Sequence, residues 1–423
     1  MSTPVNLDPV RGMRDFYPED MRLRNRVFDA WRAAALAAGF ENYDACVVES
    51  LETLERKAGE EIVRQIYSFE DKSGRRLALR PEVTPSLARM IVARQNAISL
   101  PVKWFTVAQC FRYERMTRGR KREHYQLNCD IVGAPEVFAE AELLAVAVDA
   151  LRRMGVPDEA YRVRLSSRAL LSELLLRLDV PADRHATVFL GLDKLGKMPN
   201  EEIRRLLLDE GLSEADCDKA FRLLDIRSLD DARAIAGEDS PAIAQIDELF
   251  RLLDLYGIRS QVVFDIAVVR GLSYYTGVVF EAFDTQGKFR AIFGGGRYDG
   301  LLQTMGGKPA TAVGFGFGDV VVGELLKDLF GDKAATPARK GVMVGYMDAA
   351  DRDAATRLAV RLRADGEDVC LALQPQKPKK FFAAAGDSTY LEAALVGSDD
   401  RASGTVRLKN LDTQVQRSIP LPS

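Results

Sequence analysis

The stretch VAQCFRYERMTRGRKREHYQLNCDIVG, residues 107–133, decides how this chain is read. It opens as an apolar run with strand character, becomes dense in charge, and closes on alternating polar and apolar positions. Arg112, Arg115, Arg118, Arg120, Lys121 and Arg122 fall within eleven residues, with Glu114 and Glu123 set among them. The pattern predicts strand, loop and strand. Successive side chains of a strand point to opposite faces. Arg112 and Glu114 are therefore expected to share a face on the first strand, and Gln126, Asn128 and Asp130 a face on the second. A face that gathers an arginine and several hydrogen-bonding groups suits an anionic substrate with a polar partner. The competing reading is a solvated basic hairpin.

Working outward, the segment before it reads as a hairpin, YSFED and RRLALR around a KSG turn, which delivers the chain into RPEVTPSLARMIV. Pro81 and Pro85 bracket Glu82 and Thr84 and predict an extended, rigid segment, with a helix from Ser86. Such prolines hold an acid and a hydroxyl in place, or simply start a helix. Upstream, a helix from Met21 carries Val27, Trp31, Ala35 and Ala38 on one stripe and stops at Gly39. That stripe is core or, less often, a subunit contact. A short strand is expected at 45–48.

Downstream, Phe138–Met154 reads as an amphipathic helix and residues 160–165 as a strand. From Arg168 to Leu255 the pattern is nearly all helical, rich in Leu, Asp, Glu and Arg, and reads as a helical insertion. Sheet texture returns at Ser260–Ile266. VVRGLSYYTG leads into the strand VVFEAF, then a DTQG turn, a strand KFRAIF and GGGRYDGLLQTMGG. Gly294, Gly295 and Gly296 allow close backbone approach or a tight turn. GFGFG in TAVGFGFGDVVVGELL lacks the preceding βαβ unit of a dinucleotide loop, so that reading is rejected. Residues 326–340 read as a linker, and the remainder alternates strand and helix as a small α/β domain with a largely parallel sheet.

At 423 residues the chain exceeds one core, so two or three domains are expected. A composition with 47% hydrophobic and 29% charged residues is that of a water-soluble protein, and no stretch has the ~20 apolar residues of a membrane span. The N-terminal residues do not read as a signal peptide. Five scattered cysteines without CxxC spacing and only two histidines, His124 and His185, indicate neither a disulfide framework nor a metal cluster, and fit a reducing cytoplasm. A net charge of −3 excludes wholesale polyanion binding and leaves nucleic acid to local patches such as Arg115–Arg122 and Lys377–Lys380.

With these stretches in place, the chain resembles the histidyl-tRNA synthetases, a class II aminoacyl-tRNA synthetase family, over nearly its whole length. RPEVTP is similar to the family's histidine-binding segment. FRYERMTRGRKREHYQLNCDIVG is similar to class II motif 2, and VVRGLSYYTGVVFE and GGGRYDGLL to the two signatures peculiar to the family. The resemblance implies an α+β fold, with a class II antiparallel sheet flanked by helices. It implies a catalytic domain over 1–325 with the helical insertion at about 168–255, and an α/β anticodon-binding domain over 341–423. It implies activation of L-histidine by ATP with Mg²⁺, transfer of histidine to tRNA(His), a homodimer, no membrane and no protein-held metal. The helix after Met21, with the strand that follows it, is the expected dimer contact.

Carried over residue by residue, Arg112 and Arg270 are implied as catalytic arginines that also meet histidine. Glu114 and Arg120, with Arg112, are implied for ATP. Glu82, Thr84 and Gln126 are implied around the ammonium group, Val83 as a further histidine-binding residue, Asp130 as acceptor for the imidazole, and Tyr274 and Tyr275 as the pocket's closure. The chain departs from the family twice. Val321 stands where motif 3 carries an arginine, and Ser273 replaces the aspartate of RGLDYY. Arg120 or Arg297 is the expected compensation for the first. The alternative function is a synthetase-like, histidine-binding regulatory subunit or sensor without ligase activity.

Overall fold

Strand, loop and strand form as the charge and apolar pattern predicts, and they sit near one end of a large sheet. In the computed structural model, which describes residues 6–55, 63–192, 194, 198–268, 275–336 and 338–422, the chain divides between Ala335 and Thr336 into two compact units. The strands of the first are β1 (Glu41–Asn42), β2 (Val48–Ser50), β3 (Tyr67–Glu70), β4 (Arg76–Leu79), β5 (Val102–Phe111), β6 (Glu123–Val132), β7 (Tyr161–Ser167), β8 (Val262–Phe264), β9 (Val278–Asp284), β10 (Phe293–Arg297) and β11 (Ala312–Gly318). The main sheet runs β1-β5-β6-β11-β10-β9-β7-β8, and β2-β4-β3 form a smaller antiparallel one. In the main sheet only the pairs β1 with β5 and β7 with β8 are parallel.

Parity assigns the two faces. Register sets Phe105 against Cys129, Val107 against Leu127, and Leu127, Cys129 and Ile131 against Phe317, Phe315 and Val313. These side chains join one core with Trp31, Ala34 and Ala35 of the helix Pro18–Ala37 and with the helix Phe138–Arg153. Trp31 meets Phe317 at 5.3 Å between ring centroids. The apolar stripe expected as a possible subunit contact is thus consumed by the chain's own sheet. The helices between Arg168 and Leu255 bury Leu170, Leu174, Ile246 and Leu249 in the same core.

The opposite parity makes the other face. Ala108 and Cys110 pack there with Val83, Leu87, Tyr275 and Tyr298. Gln126, Asn128 and Asp130 have the same parity and stand opposite Gly318, Gly316 and Gly314. A Cβ at Gly314 would overlap the Asp130 carboxylate, and one at Gly316 the Gln126 amide. The glycine spacing of β11 therefore clears room for the polar row of β6.

Several boundaries differ from expectation. The helix after RPEV begins at Thr84, not Ser86, because Pro85 fits the first helical turn, where no N–H is needed. KFRAIF is not a strand before Phe293. The Asp284 carboxylate accepts from the backbone N–H groups of Lys288 and Phe289, both at 2.9 Å, and holds that segment in a return loop. The strand expected at 45–48 starts at Val48. Residues 326–330, expected as linker, finish the helix Asp319–Phe330, with Leu326 buried.

The second unit contains β12 (Val342–Tyr346), β13 (Val369–Leu371), β14 (Glu392–Val396), β15 (Thr405–Asn410) and β16 (Gln416–Pro420), in the order β13-β12-β14-β15-β16. Only β13, β12 and β14 are mutually parallel, across the helices Arg352–Ala364 and Pro378–Gly386. The expected parallel sheet is half antiparallel, because the link from β14 to β15 holds only the helix Ser398–Ser403 and is too short for a crossover. No helix among the described residues is long and apolar enough to cross a membrane.

Candidate active site

Arg80 anchors the segment that carries Glu82. It is 2% exposed, and it donates Nε–H to the Gln109 carbonyl at 2.9 Å and an Nη1–H to the Ala45 carbonyl at 2.7 Å. Both contacts fix the chain beside the end of β5. Glu82, Val83 and Thr84 follow in buried positions, with Thr84 opening the helix Thr84–Ala93. Arg112 lies one residue beyond β5 rather than within it. Its backbone N–H continues the ladder to the Arg122 carbonyl at 2.9 Å, and its Nε–H reaches the Pro81 carbonyl at 2.9 Å. Among the described residues its two terminal nitrogens bond nothing, so the open end of the guanidinium is available to an anion.

Glu114 also lies past the strand, so parity does not place it with Arg112. An ion pair does the placing instead: Arg120 Nη1 is 2.7 Å from Glu114 Oε2, across a loop closed by the bridge between Thr117 and Arg120. Both residues keep some exposure, so this pair adds only ~0.2–1 kcal/mol and orients more than it stabilises.

Asp130 is almost fully buried, at 2% exposed. The Tyr298 hydroxyl donates to its Oδ1, while its Oδ2 has no partner among the described residues. The buried Tyr43 hydroxyl has none there either. Burial pushes the Asp130 carboxyl up to about 7, against the opposing hydrogen bond from Tyr298. Burial first, then the neighbouring Asp130, raises the Tyr43 hydroxyl well above its ordinary value. Unsatisfied buried polar atoms are rare in folded chains, and these two, on Asp130 and Tyr43, sit on the face that β11 leaves open. Gln126 Nε2 donates to Asn128 Oδ1 at 2.9 Å along the same row. Tyr275 is buried against this face. Arg270, Ser273 and Tyr274 lie outside the described residues. Sequence reasoning missed Tyr43, Tyr298 and Arg80. The parity of Asp130 pointed to this face, but nothing local in the sequence says which distant hydroxyls meet it.

The family model "Histidyl-tRNA synthetase" matches residues 12–318, and "Anticodon binding domain" matches residues 341–423. The chain belongs to the histidyl-tRNA synthetase family. It is 44% identical over 420 residues to the histidine–tRNA ligase, chloroplastic/mitochondrial, of Arabidopsis thaliana, covering 99% of this chain and 86% of that one. The histidine–tRNA ligase of Opitutus terrae is 39% identical over 416 residues, with 97% and 95% covered. Among solved structures, the histidyl-tRNA synthetase of Nostoc sp. PCC 7120 superposes with a TM-score of 0.81 at 23% identity, covering 99% of this chain and 97% of that one. That likeness bears on the fold, a class II antiparallel sheet flanked by helices.

Val321 is the residue expected from the sequence to stand where the family's motif 3 carries an arginine. It is buried in the main core, and the tip of the motif 2 loop lies over it: a Cβ on Gly119 would be 3.5 Å from Val321 Cγ2. Two residues earlier, Asp319 is tied down by Arg14 at 3.0 Å and by the Tyr125 N–H at 2.9 Å. Arg14 also meets Glu123 at 2.9 Å. Arg297, one of the two expected compensators for the missing arginine, is fully committed elsewhere. It forms a two-pronged pair with buried Glu140, both contacts at 2.6 Å, and donates to the carbonyls of Ala134 and Glu136 at 3.1 Å. It holds the helix Phe138–Arg153 to β10.

Proposed function

We propose that the chain is a histidine–tRNA ligase. Histidine's carboxylate oxygen attacks the α-phosphorus of ATP, the bond to the β-phosphate oxygen breaks, and pyrophosphate leaves. A hydroxyl of the 3′-terminal adenosine of tRNA(His) then attacks the carbonyl carbon of the adenylate and AMP leaves. In such transfers the protein chiefly positions reactants and neutralises developing charge.

The observation that carries the choice of histidine is Asp130, a buried carboxylate with one satisfied oxygen and one awaiting an N–H. An imidazole supplies that N–H, and Tyr298 keeps the carboxylate turned toward it. Arg112, held by the Pro81 carbonyl, is assigned to the α-phosphate, where its planar fork engages two oxygens. Arg270 is assigned opposite it. Glu82, Thr84 and Gln126 surround the ammonium group, Val83 lines the histidine site beside them, Glu114 and Arg120 hold ATP, and Tyr274 and Tyr275 close the pocket.

Mg²⁺ arrives on the triphosphate in this reading. That mode needs one or two carboxylates rather than a protein cage. We further propose a homodimer in a reducing, cytoplasmic setting, in line with five free cysteines. The regulatory-subunit reading is disfavoured by relatives that are ligases along almost the full chain and by the anticodon-binding match. Histidine-dependent exchange of pyrophosphate into ATP by the purified chain tests the proposal, and exchange that ignores histidine overturns it.

A further inference from the structure

The motif 2 loop is held at its base by a segment with no assigned role, residues 11–16. Arg14 donates Nε–H to Glu123 Oε1 at 2.9 Å, and its Nη2 lies 3.0 Å from Asp319 Oδ2. Both carboxylates are buried. The second oxygen of Glu123 accepts from Gln109 Nε2 at 2.6 Å, and that of Asp319 from the Tyr125 N–H at 2.9 Å. One guanidinium therefore ties together β5, the start of β6 and the first residue of the helix Asp319–Phe330. The backbone adds a second tie. The Gly12 carbonyl accepts from the Arg122 N–H at 3.0 Å, and the Arg122 carbonyl accepts from the Arg112 N–H at 2.9 Å. Gly12 holds φ at +91°, and a Cβ there would lie 2.7 Å from the Arg122 side chain, so this approach needs glycine. Phe16 then meets Tyr125 at 6.2 Å between ring centroids, with the Arg24 guanidinium over both rings.

These ties converge on Arg112. Glu123 is the strand partner of Phe111, the residue before Arg112, and Arg122 is the backbone partner of Arg112 itself. Gly12 holds Arg122 and Arg14 holds Glu123, so the segment fixes both positions across from Arg112. A planar fork lets one cation meet two carboxylates at once. Without it, Glu123 and Asp319 become two buried like charges that repel, which favours separation of β6 from the start of the helix. We propose that Arg14 is a positioning residue for Arg112: by bridging Glu123 and Asp319 it fixes the base of the motif 2 loop, so that the Arg112 guanidinium meets the α-phosphate. The chemical role of Arg112 rests on the ligase reading, whereas the bridge rests on these contacts alone.

The test is histidine-dependent pyrophosphate exchange by wild type, Arg14→Ala, Arg112→Ala and the double variant, with amide hydrogen exchange of wild type and Arg14→Ala alongside. Arg14→Ala is expected to lower kcat about 10- to 100-fold, the cost of misplacing a catalytic group by about 1 Å. The KM for histidine is expected to stay within about twofold, because Asp130 lies near the far end of β6 from Glu123. In the Arg112→Ala background the same substitution should cost no more than about twofold, since the residue it positions is gone. A loss within about twofold in Arg14→Ala alone overturns the inference. So does an equal loss in both backgrounds, which reports a general weakening of the fold. Should Arg14→Ala not fold, Arg14→Lys, which keeps one cation between the carboxylates but loses the fork, carries the same cycle to the same outcomes. The amides of residues 112–123 are expected to exchange at least about tenfold faster in Arg14→Ala, with those of the helix Phe138–Arg153 unchanged. Wild type without histidine-dependent pyrophosphate exchange overturns the ligase reading, and unchanged exchange of the loop amides then overturns the role of Arg14 by itself.

Discussion

Asp130→Asn isolates the imidazole assignment because it keeps the shape of the side chain and an acceptor for Tyr298, but removes the charge. In wild type the Asp130 carboxyl is pushed up to about 7. A group with that pKa is roughly nine-tenths carboxylate at pH 8 and about one-tenth at pH 6, a tenfold difference. The imidazole of free histidine, with a pKa near 6.5, adds about fourfold of its own over that interval. The kcat/KM for histidine, which reports free enzyme and free substrate, should therefore rise about 40-fold from pH 6 to pH 8 in wild type and only about fourfold in Asp130→Asn. At pH 8 the variant should also lose about 10- to 150-fold, the value of one hydrogen bond to a charged group. Pyrophosphate exchange at saturating ATP, run across that pH range, reads both numbers. The reasoning fails if Asp130→Asn keeps the 40-fold rise, or if its exchange at pH 8 stays within about twofold of wild type.

The same carboxylate sets a stability expectation of opposite sign. Its folded pKa lies above the ordinary 3.8, so the folded chain holds the proton more tightly and loses stability as pH rises from about 4 through about 7. Asp130→Asn should consequently be more stable to urea than wild type at pH 8, with an unfolding free energy higher by up to about 4 kcal/mol, while losing activity. Arg297→Ala strands the buried Glu140 carboxylate and should cost about 3–5 kcal/mol in urea unfolding with an unchanged m-value. Gly314→Ala places a methyl group against the Asp130 carboxylate. It should raise the KM for histidine about tenfold or more and leave that for ATP within about twofold, as expected for displacement of one charged partner. Equal effects on both substrates would contradict the face assignment.

How much was legible in the sequence depended on the range of the contact. The hairpin of β5 and β6 was readable because parity is a property of neighbours, and it placed Gln126, Asn128 and Asp130 on one face. It failed one step further out, since Arg112 and Glu114 lie past the strand end and are oriented by Pro81 and Arg120. The glycine-spaced strand was readable as a strand, but its purpose appears only in register, where each glycine faces a polar residue of β6. Tyr43 and Tyr298 lie 87 and 168 residues from Asp130 in sequence, and no local pattern links such positions. Arg297 looked available from composition alone. Its burial with Glu140 is a tertiary fact, set by the helix Phe138–Arg153 packing on β10.

The central claim is that this chain joins histidine to tRNA(His). The direct measurement is transfer of labelled histidine to a tRNA(His) transcript, with Arg112→Ala and a transcript carrying another anticodon and acceptor end as companions. Charging that requires ATP, prefers tRNA(His) and falls by two orders of magnitude or more in Arg112→Ala is the predicted result, since removal of one charge-stabilising donor costs about 10²–10³ in rate. Histidine bound with no labelled tRNA formed, or charging indifferent to Arg112, would contradict it.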